Sequence, residues 1–82
     1  MIQITYFGRF KTILNITTEN LAWSCGTSVD LLNLLKGRDE LWRTTLSEDQ
    51  VFRVVVNNEI CYEETAIKVG DHVALLPPVT GG

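Results

Sequence analysis

Residues Val51 to Val56 read Val-Phe-Arg-Val-Val-Val, and this run constrains the fold more than any other part of the chain. β-Branched side chains suit a pleated surface, and a near-continuous run of them reads as a central strand rather than an edge. That strand needs neighbours and a cover from only 82 residues, enough for one domain with a single modest core. The rest of the sequence supplies both.

The opening segment, Ile2 to Phe7, alternates apolar Ile2, Ile4 and Tyr6 with polar Gln3 and Thr5, the pattern of a half-buried strand. Phe7 breaks the alternation and puts an aromatic ring on the polar face. Arg9 to Leu14 allows about one helical turn. Ile16 to Trp23, rich in β-branched and aromatic residues, predicts a second strand paired as a hairpin with the first. Gly26-Thr27-Ser28 is a helix start, because Thr27 or Ser28 can cap and Asp30 places negative charge in the first turn. Val29, Leu31, Leu32, Leu34 and Leu35 follow at helical spacing. Gly37 then offers a stop in the left-handed conformation. Asp39 to Leu46 carries Leu41, Trp42 and Leu46, and predicts a second short helix or turn over the core edge. Ser47 to Gln50 is a polar loop.

Beyond the valine run, Asn57-Asn58 is a turn pair, since Asn tolerates positive φ. Ile60 to Tyr62 predicts a short strand, Glu63 to Lys68 a connector, and Gly70-Asp71 a turn. His72 to Leu76 is the last strand. The order is therefore strand, strand, helix, strand, short strand, strand. A hairpin, a helix and further strands wrap a sheet around the helix, which is the β-grasp arrangement. The expected class is α+β, with a mixed sheet of about five strands packed on one main helix. Residues 1–78 are expected to form this domain, and residues 79–82 a flexible diglycine tail.

Net charge is −3, and the seven cationic residues are scattered from Arg9 and Lys11 through Arg53 to Lys68. Nucleic-acid binding needs clustered Lys and Arg, so no nucleic-acid partner is expected. No apolar stretch approaches a membrane span, and the first residues do not read as a signal peptide. The expectation is a cytoplasmic protein with reduced thiols. Cys25 and Cys61 form no C-x-x-C pair, and with one histidine there is no zinc-ligand set, so no metal or bound cofactor is expected. His72 stands next to Asp71, but neighbours on a strand point to opposite faces, and a surface histidine after a turn is the simpler reading. No phosphate-cradling glycine loop is present. The chain therefore has no internal active site, and it is non-catalytic on its own.

The end of the sequence is different. Pro77 and Pro78 cannot donate ladder hydrogen bonds, and each holds the residue before it extended. The segment Val79-Thr80-Gly81-Gly82 is thus projected away from the body. Gly81 and Gly82 have no side chains, so this end can thread a narrow channel and deliver a carboxylate at its bottom.

The chain resembles the MoaD-type sulfur carriers, the small subunits of molybdopterin synthase, which share the ubiquitin-like β-grasp. The resemblance runs nearly end to end: Tyr6-Phe7-Gly8, Ser28-Val29-Asp30-Leu31-Leu32, Val55-Val56-Asn57-Asn58-Glu59, and Gly70 through Gly82. Pro-Pro-Val-Thr-Gly-Gly is its specific part. What the resemblance implies is that Gly82 is adenylated by a ubiquitin-activating-like adenylyltransferase that uses ATP. It is then converted to a thiocarboxylate, a nucleophile at sulfur. The tail, Pro77, Pro78, Val79, Thr80 and Gly81 included, would enter the large subunit. There it would give sulfur to the cyclic pyranopterin precursor of the molybdenum cofactor, in a sulfurtransferase complex of heterotetramer type whose catalytic lysines lie on the large subunit. The resemblance also implies an apolar partner-binding patch at Phe7, Ile60 and Leu76, and an exposed apolar group such as Phe7 fits a partner surface. Two positions depart from the family pattern. Lys11-Thr12 stands where an Arg-Glu pair is common, which keeps the positive charge at Lys11, and His72 stands where Glu is usual. The same activated glycine could instead meet a lysine amine, making a protein modifier, or serve thiamine or another thio-metabolite.

Overall fold

The computed structural model describes residues 1–47 and 51–77. In chain order the elements are β1 (Ile2–Tyr6), α1 (Arg9–Leu14), β2 (Thr18–Leu21), β3 (Cys25–Thr27) and α2 (Ser28–Lys36). They continue with α3 (Glu40–Thr45), β4 (Arg53–Val56), β5 (Glu59–Cys61), β6 (Ala66–Lys68) and β7 (His72–Leu76). The main sheet has five strands in the order β2-β1-β7-β4-β5, and β3 pairs with β6 in a separate two-stranded sheet. Only the β1–β7 pairing is parallel, so the main sheet is mixed. This is the expected ubiquitin-like β-grasp. The valine run is interior as expected, with β7 on one side and β5 on the other, although the middle position belongs to β7.

Alternation decides what each strand buries. Ile2, Ile4 and Tyr6 on β1, Val54 and Val56 on β4, and Val73 and Leu75 on β7 all point into the core. They meet Leu31 and Leu35 of α2, Phe10 and Leu14 of α1, and Trp42 of α3 with the adjoining Leu46. The aromatic contacts are edge-on, Tyr6 to Trp42 and Phe10 to Phe52, each at 5.6 Å between centroids. Helix α2 begins with a capping box: Thr27 Oγ1 accepts from the backbone N–H of Asp30, and Asp30 Oδ2 accepts from that of Thr27 at 2.9 Å. Asp39 caps α3 by accepting from Trp42 N–H at 3.0 Å. The Asn57-Asn58 turn is as read, with φ of 51° and 69°, and two positive φ values match the right-handed twist of the β4–β5 hairpin.

Several expectations are corrected. The second strand is Thr18–Leu21 rather than Ile16 to Trp23; Ile16 and Trp23 pack against the core edge, and the Trp23 indole N–H donates to the Ile67 carbonyl at 3.0 Å. The supposed connector Glu63 to Lys68 contains β6, whose partner β3 lies immediately before α2. Neither three-residue segment carries a periodic signal or a flanking asparagine turn such as the one that marks β5, so only the pairing reveals β3 and β6. Gly37 is right-handed, at φ −77°, because the chain passes straight from α2 into the cap of α3. The leucine stripe is narrower than its spacing suggests: Leu31 and Leu35 are buried, while Val29 and Leu34 are exposed, as is Leu41 of α3. Most of the Ser47 to Gln50 loop, and the tail from Pro78 to Gly82, lie outside the described residues.

Candidate functional site

The outer face of the main sheet is built from the residues that alternation turns away from the core. The pairing register arranges them in three rows. Gln3 of β1 lies beside His72 of β7. Thr5, Ala74, Val55 and Ile60 form the second row, running from β1 through β7 and β4 to β5. In the third row Arg53 of β4 is directly opposite Leu76 of β7, and Phe7, one residue beyond β1, follows on the other side of Leu76, with its N–H donating to the Leu75 carbonyl at 3.1 Å. A shallow groove of about 500 Å³ runs along this face between Phe7, Val55, Ala74 and Leu76 at one end and Asn57 and His72 at the other.

Phe7 and Ile60 are each 45% exposed, and Leu76 is half-buried. Neither Phe7 nor Ile60 belongs to the core cluster, so these rings and chains are surface, not satellite core. The structure therefore gathers Phe7, Ile60 and Leu76 on one face. It also adds Val55 and Ala74 between them, which the sequence reading missed. The alternation of β4 and β7 was the available signal, but a run of three valines hides which of them faces out. Register settles it: Val55 sits opposite both Ile60 and Ala74.

The groove ends where the chain leaves the sheet. Pro77 packs on Gly8, and a Cβ at Gly8 would lie 2.7 Å from Pro77 Cγ. Gly8 also takes φ +57° and ψ −131°, a conformation that side chains rarely adopt. Only glycine lets the end of β7 come this close. Pro77, the last described residue before Pro78, Val79, Thr80, Gly81 and Gly82, thus lies beside the start of α1, and Lys11 is exposed on that short helix. These five tail residues lie outside the described residues.

Elsewhere the titratable groups are tied into structure. Tyr6 Oη donates to Glu19 Oε2 at 2.6 Å, and Arg38 grips Glu19 with both guanidinium nitrogens, at 2.8 and 2.6 Å. The Arg38 guanidinium also lies 4.4 Å from the Trp42 ring centroid. The Arg38 bond holds the Glu19 carboxyl below its usual range, while burial, and then the Glu19 bond, push the Tyr6 hydroxyl far above its own. This network fastens β1 and β2 to the α2–α3 junction. Asp71 accepts from Lys68 N–H at 2.8 Å and from Asn57 Nδ2 at 3.0 Å, which lowers its pKa in that order of cause. The His72 ring contacts Gln3 Oε1, and the His72 backbone N–H donates to Asn57 Oδ1 at 3.0 Å. Asp71 and His72 do not meet as a catalytic pair. Among the described residues no group of three or more His, Cys, Asp or Glu could hold a metal ion, and no helix is long and apolar enough to cross a membrane.

The arrangement is an apolar face that leads to Pro77, the residue before the Pro-Val-Thr-Gly-Gly segment. The sequence model of the ThiS family matches residues 4–82. The chain belongs to the ThiS family. Over its full 82 residues it is 26% identical to the molybdopterin synthase sulfur carrier subunit of Haemophilus influenzae, and each chain is covered completely. It is 27% identical to the Escherichia coli protein of the same name, again over all of both chains. The resemblance to MoaD-type carriers therefore extends along the whole sequence. Among solved structures, SAMP1 from Haloferax volcanii superposes with a TM-score of 0.74 at 24% identity, covering 99% of this chain and 98% of that one. A putative molybdopterin converting factor subunit 1 from Pyrococcus furiosus gives 0.77 at 22% identity, covering 95% of this chain and 97% of the other. At these identities the structural likeness of this ThiS-family chain shows a common fold.

Proposed function

We propose that this protein is the sulfur-carrier small subunit of molybdopterin synthase. The observation that carries the reading is the continuity of the apolar outer face, Phe7 to Leu76, with the exit of the Pro-Pro-Val-Thr-Gly-Gly segment at Pro77. Full-length similarity to two proteins of that name supports it. A partner that docks on this face holds the root of the tail and thereby fixes how far Gly82 reaches.

The chemistry proceeds at Gly82. A carboxylate is a poor electrophile, so one of its oxygens attacks the α-phosphate of ATP on a ubiquitin-activating-like adenylyltransferase, and pyrophosphate leaves. Sulfide-level sulfur then displaces AMP and leaves a C-terminal thiocarboxylate. That anionic sulfur is the nucleophile carried to the pyranopterin precursor in the large subunit. This chain contributes the tail and the docking face; precursor binding and proton transfer belong to the large subunit.

Two measurements test the reading. Intact-mass analysis of protein purified from its own organism is expected to show a fraction with one terminal oxygen replaced by sulfur. Deleting Gly82 is expected to abolish molybdoenzyme maturation while leaving the thermal midpoint unchanged, because a glycine has no side chain to bury in the core. A truncated protein that still supports maturation defeats the proposal. SAMP1 of Methanosarcina acetivorans, described as a small archaeal modifier protein, shares the fold with a TM-score of 0.69 at 21% identity. That likeness supports conjugation to lysine amines as a second fate of the same acyl-adenylate. Its sign is a ladder of high-mass conjugates that vanishes on deletion of Gly82.

A further inference from the structure

The outer face differs in charge from the rest of the chain. Ten carboxylates outnumber seven cationic side chains in the sequence, yet no outward position of the five main strands holds a carboxylate. The acidic residues within those strands, Glu19 and Glu59, sit opposite Ile4 and Val56, on the inward side. The single guanidinium among the outward positions is Arg53, in register with Leu76. It is exposed and makes no ion pair or hydrogen bond among the described residues. Arg9 adds a second positive charge next to this row: its Nη2 donates to the Val51 carbonyl at 3.0 Å, two residues before Arg53.

We propose that Arg53 is a specificity-determining residue of the docking face, and that the partner receiving the tail presents a carboxylate opposite it. The inference rests on the docking face assigned under the proposed function. A partner that covers Leu76 and Phe7 also covers the guanidinium beside them. A covered charge without a counter-charge is strongly unfavourable, so a productive partner supplies one. The planar fork of Arg suits a carboxylate with two oxygens, a geometry Lys does not reproduce. With no carboxylate at the outward strand positions, Arg53 has no competing acceptor among the described residues of the face, and a partner carboxylate meets no like charge from those strands. The face thus discriminates against partner surfaces that are basic or purely apolar at this point.

The experiment measures binding of the molybdopterin synthase large subunit from the same organism, by surface plasmon resonance between low and high NaCl. Wild type, Arg53→Glu, Arg53→Lys and Phe7→Asp are compared, with thermal melts to confirm folding. Arg53→Glu is expected to weaken binding about 30-fold or more and to reduce the salt dependence of association. Arg53→Lys, which keeps the charge and loses the fork, is expected to lose only about threefold. Two outcomes overturn the inference alone: Arg53→Glu binding within about twofold of wild type while Phe7→Asp fails to bind, or a loss with unchanged salt dependence. Normal binding by both Arg53→Glu and Phe7→Asp overturns the docking face itself, and this inference with it.

Discussion

Leu75 and Leu76 are consecutive residues of one strand and have opposite surroundings. Leu75 is wholly buried among the core aliphatics, whereas Leu76 lies half-buried on the outer face between Phe7 and Arg53. The same division runs through β4, where Val54 and Val56 are core and Val55 is half-buried on the outer face. The inner face builds the core, and the outer face carries the apolar surface to which the proposed function assigns docking. A strand of alternating side chains separates these tasks by one residue, so a change can damage either without the other.

The sharpest way to break the comparison is to cut into the inner face. Leu75→Ala removes a fully buried side chain and is expected to destabilise the domain by about 3 kcal/mol in urea unfolding. A loss below about 1 kcal/mol would mean that the inner face is not tightly packed around Leu75.

Glu19→Ala comes next, at about 2 kcal/mol, because it leaves the buried Tyr6 hydroxyl and the Arg38 guanidinium without their shared acceptor. The pH dependence has a definite sign. Glu19 has a depressed pKa in the folded state, so its contribution is present above the unfolded carboxylate value of about 4.3. It is lost as pH falls through the lower folded value. Urea midpoints should therefore converge for wild type and Glu19→Gln as pH drops below about 4. A gap that stays constant to low pH contradicts the assignment.

Gly8→Ala tests the junction between the two faces. The added Cβ meets Pro77 in a backbone conformation unfavourable to alanine, and a loss of about 1–2 kcal/mol is expected. Because Pro77 must shift, partner binding should weaken as well, which calorimetric titration against the large subunit would detect. The smallest effect on stability belongs to Leu76→Arg, expected within about 0.5 kcal/mol of wild type. Its effect on docking should be the reverse, with complex formation lost on size-exclusion chromatography. Retained binding would sever the link between this face and the partner.

Much of this was legible without coordinates. Period-two alternation identifies β1 and its buried Ile2, Ile4 and Tyr6. The Thr27–Asp30 cap marks the start of α2, and paired asparagines mark the β4–β5 turn, because these signals are local and need only near neighbours. Phe7 was recognisable as an outlier against its own strand. By contrast, β3 and β6 were found only as partners of each other, since neither has the asparagine turn that marks β5. Val55, Ala74 and Arg53 joined the candidate face through register, which no single strand encodes.

The sequence by itself determined the strands of the main sheet, the helices and their order, because backbone geometry and side-chain alternation act within a few residues. Only the tertiary structure decided that β1 and β7, some seventy residues apart, lie side by side in parallel. It also decided that Glu19 closes a network with Tyr6 and Arg38, and that Pro77 rests on Gly8 at the rim of the apolar face. Each of these pairs residues distant in the chain, and the packing of a common core, not any local preference, brings them into contact.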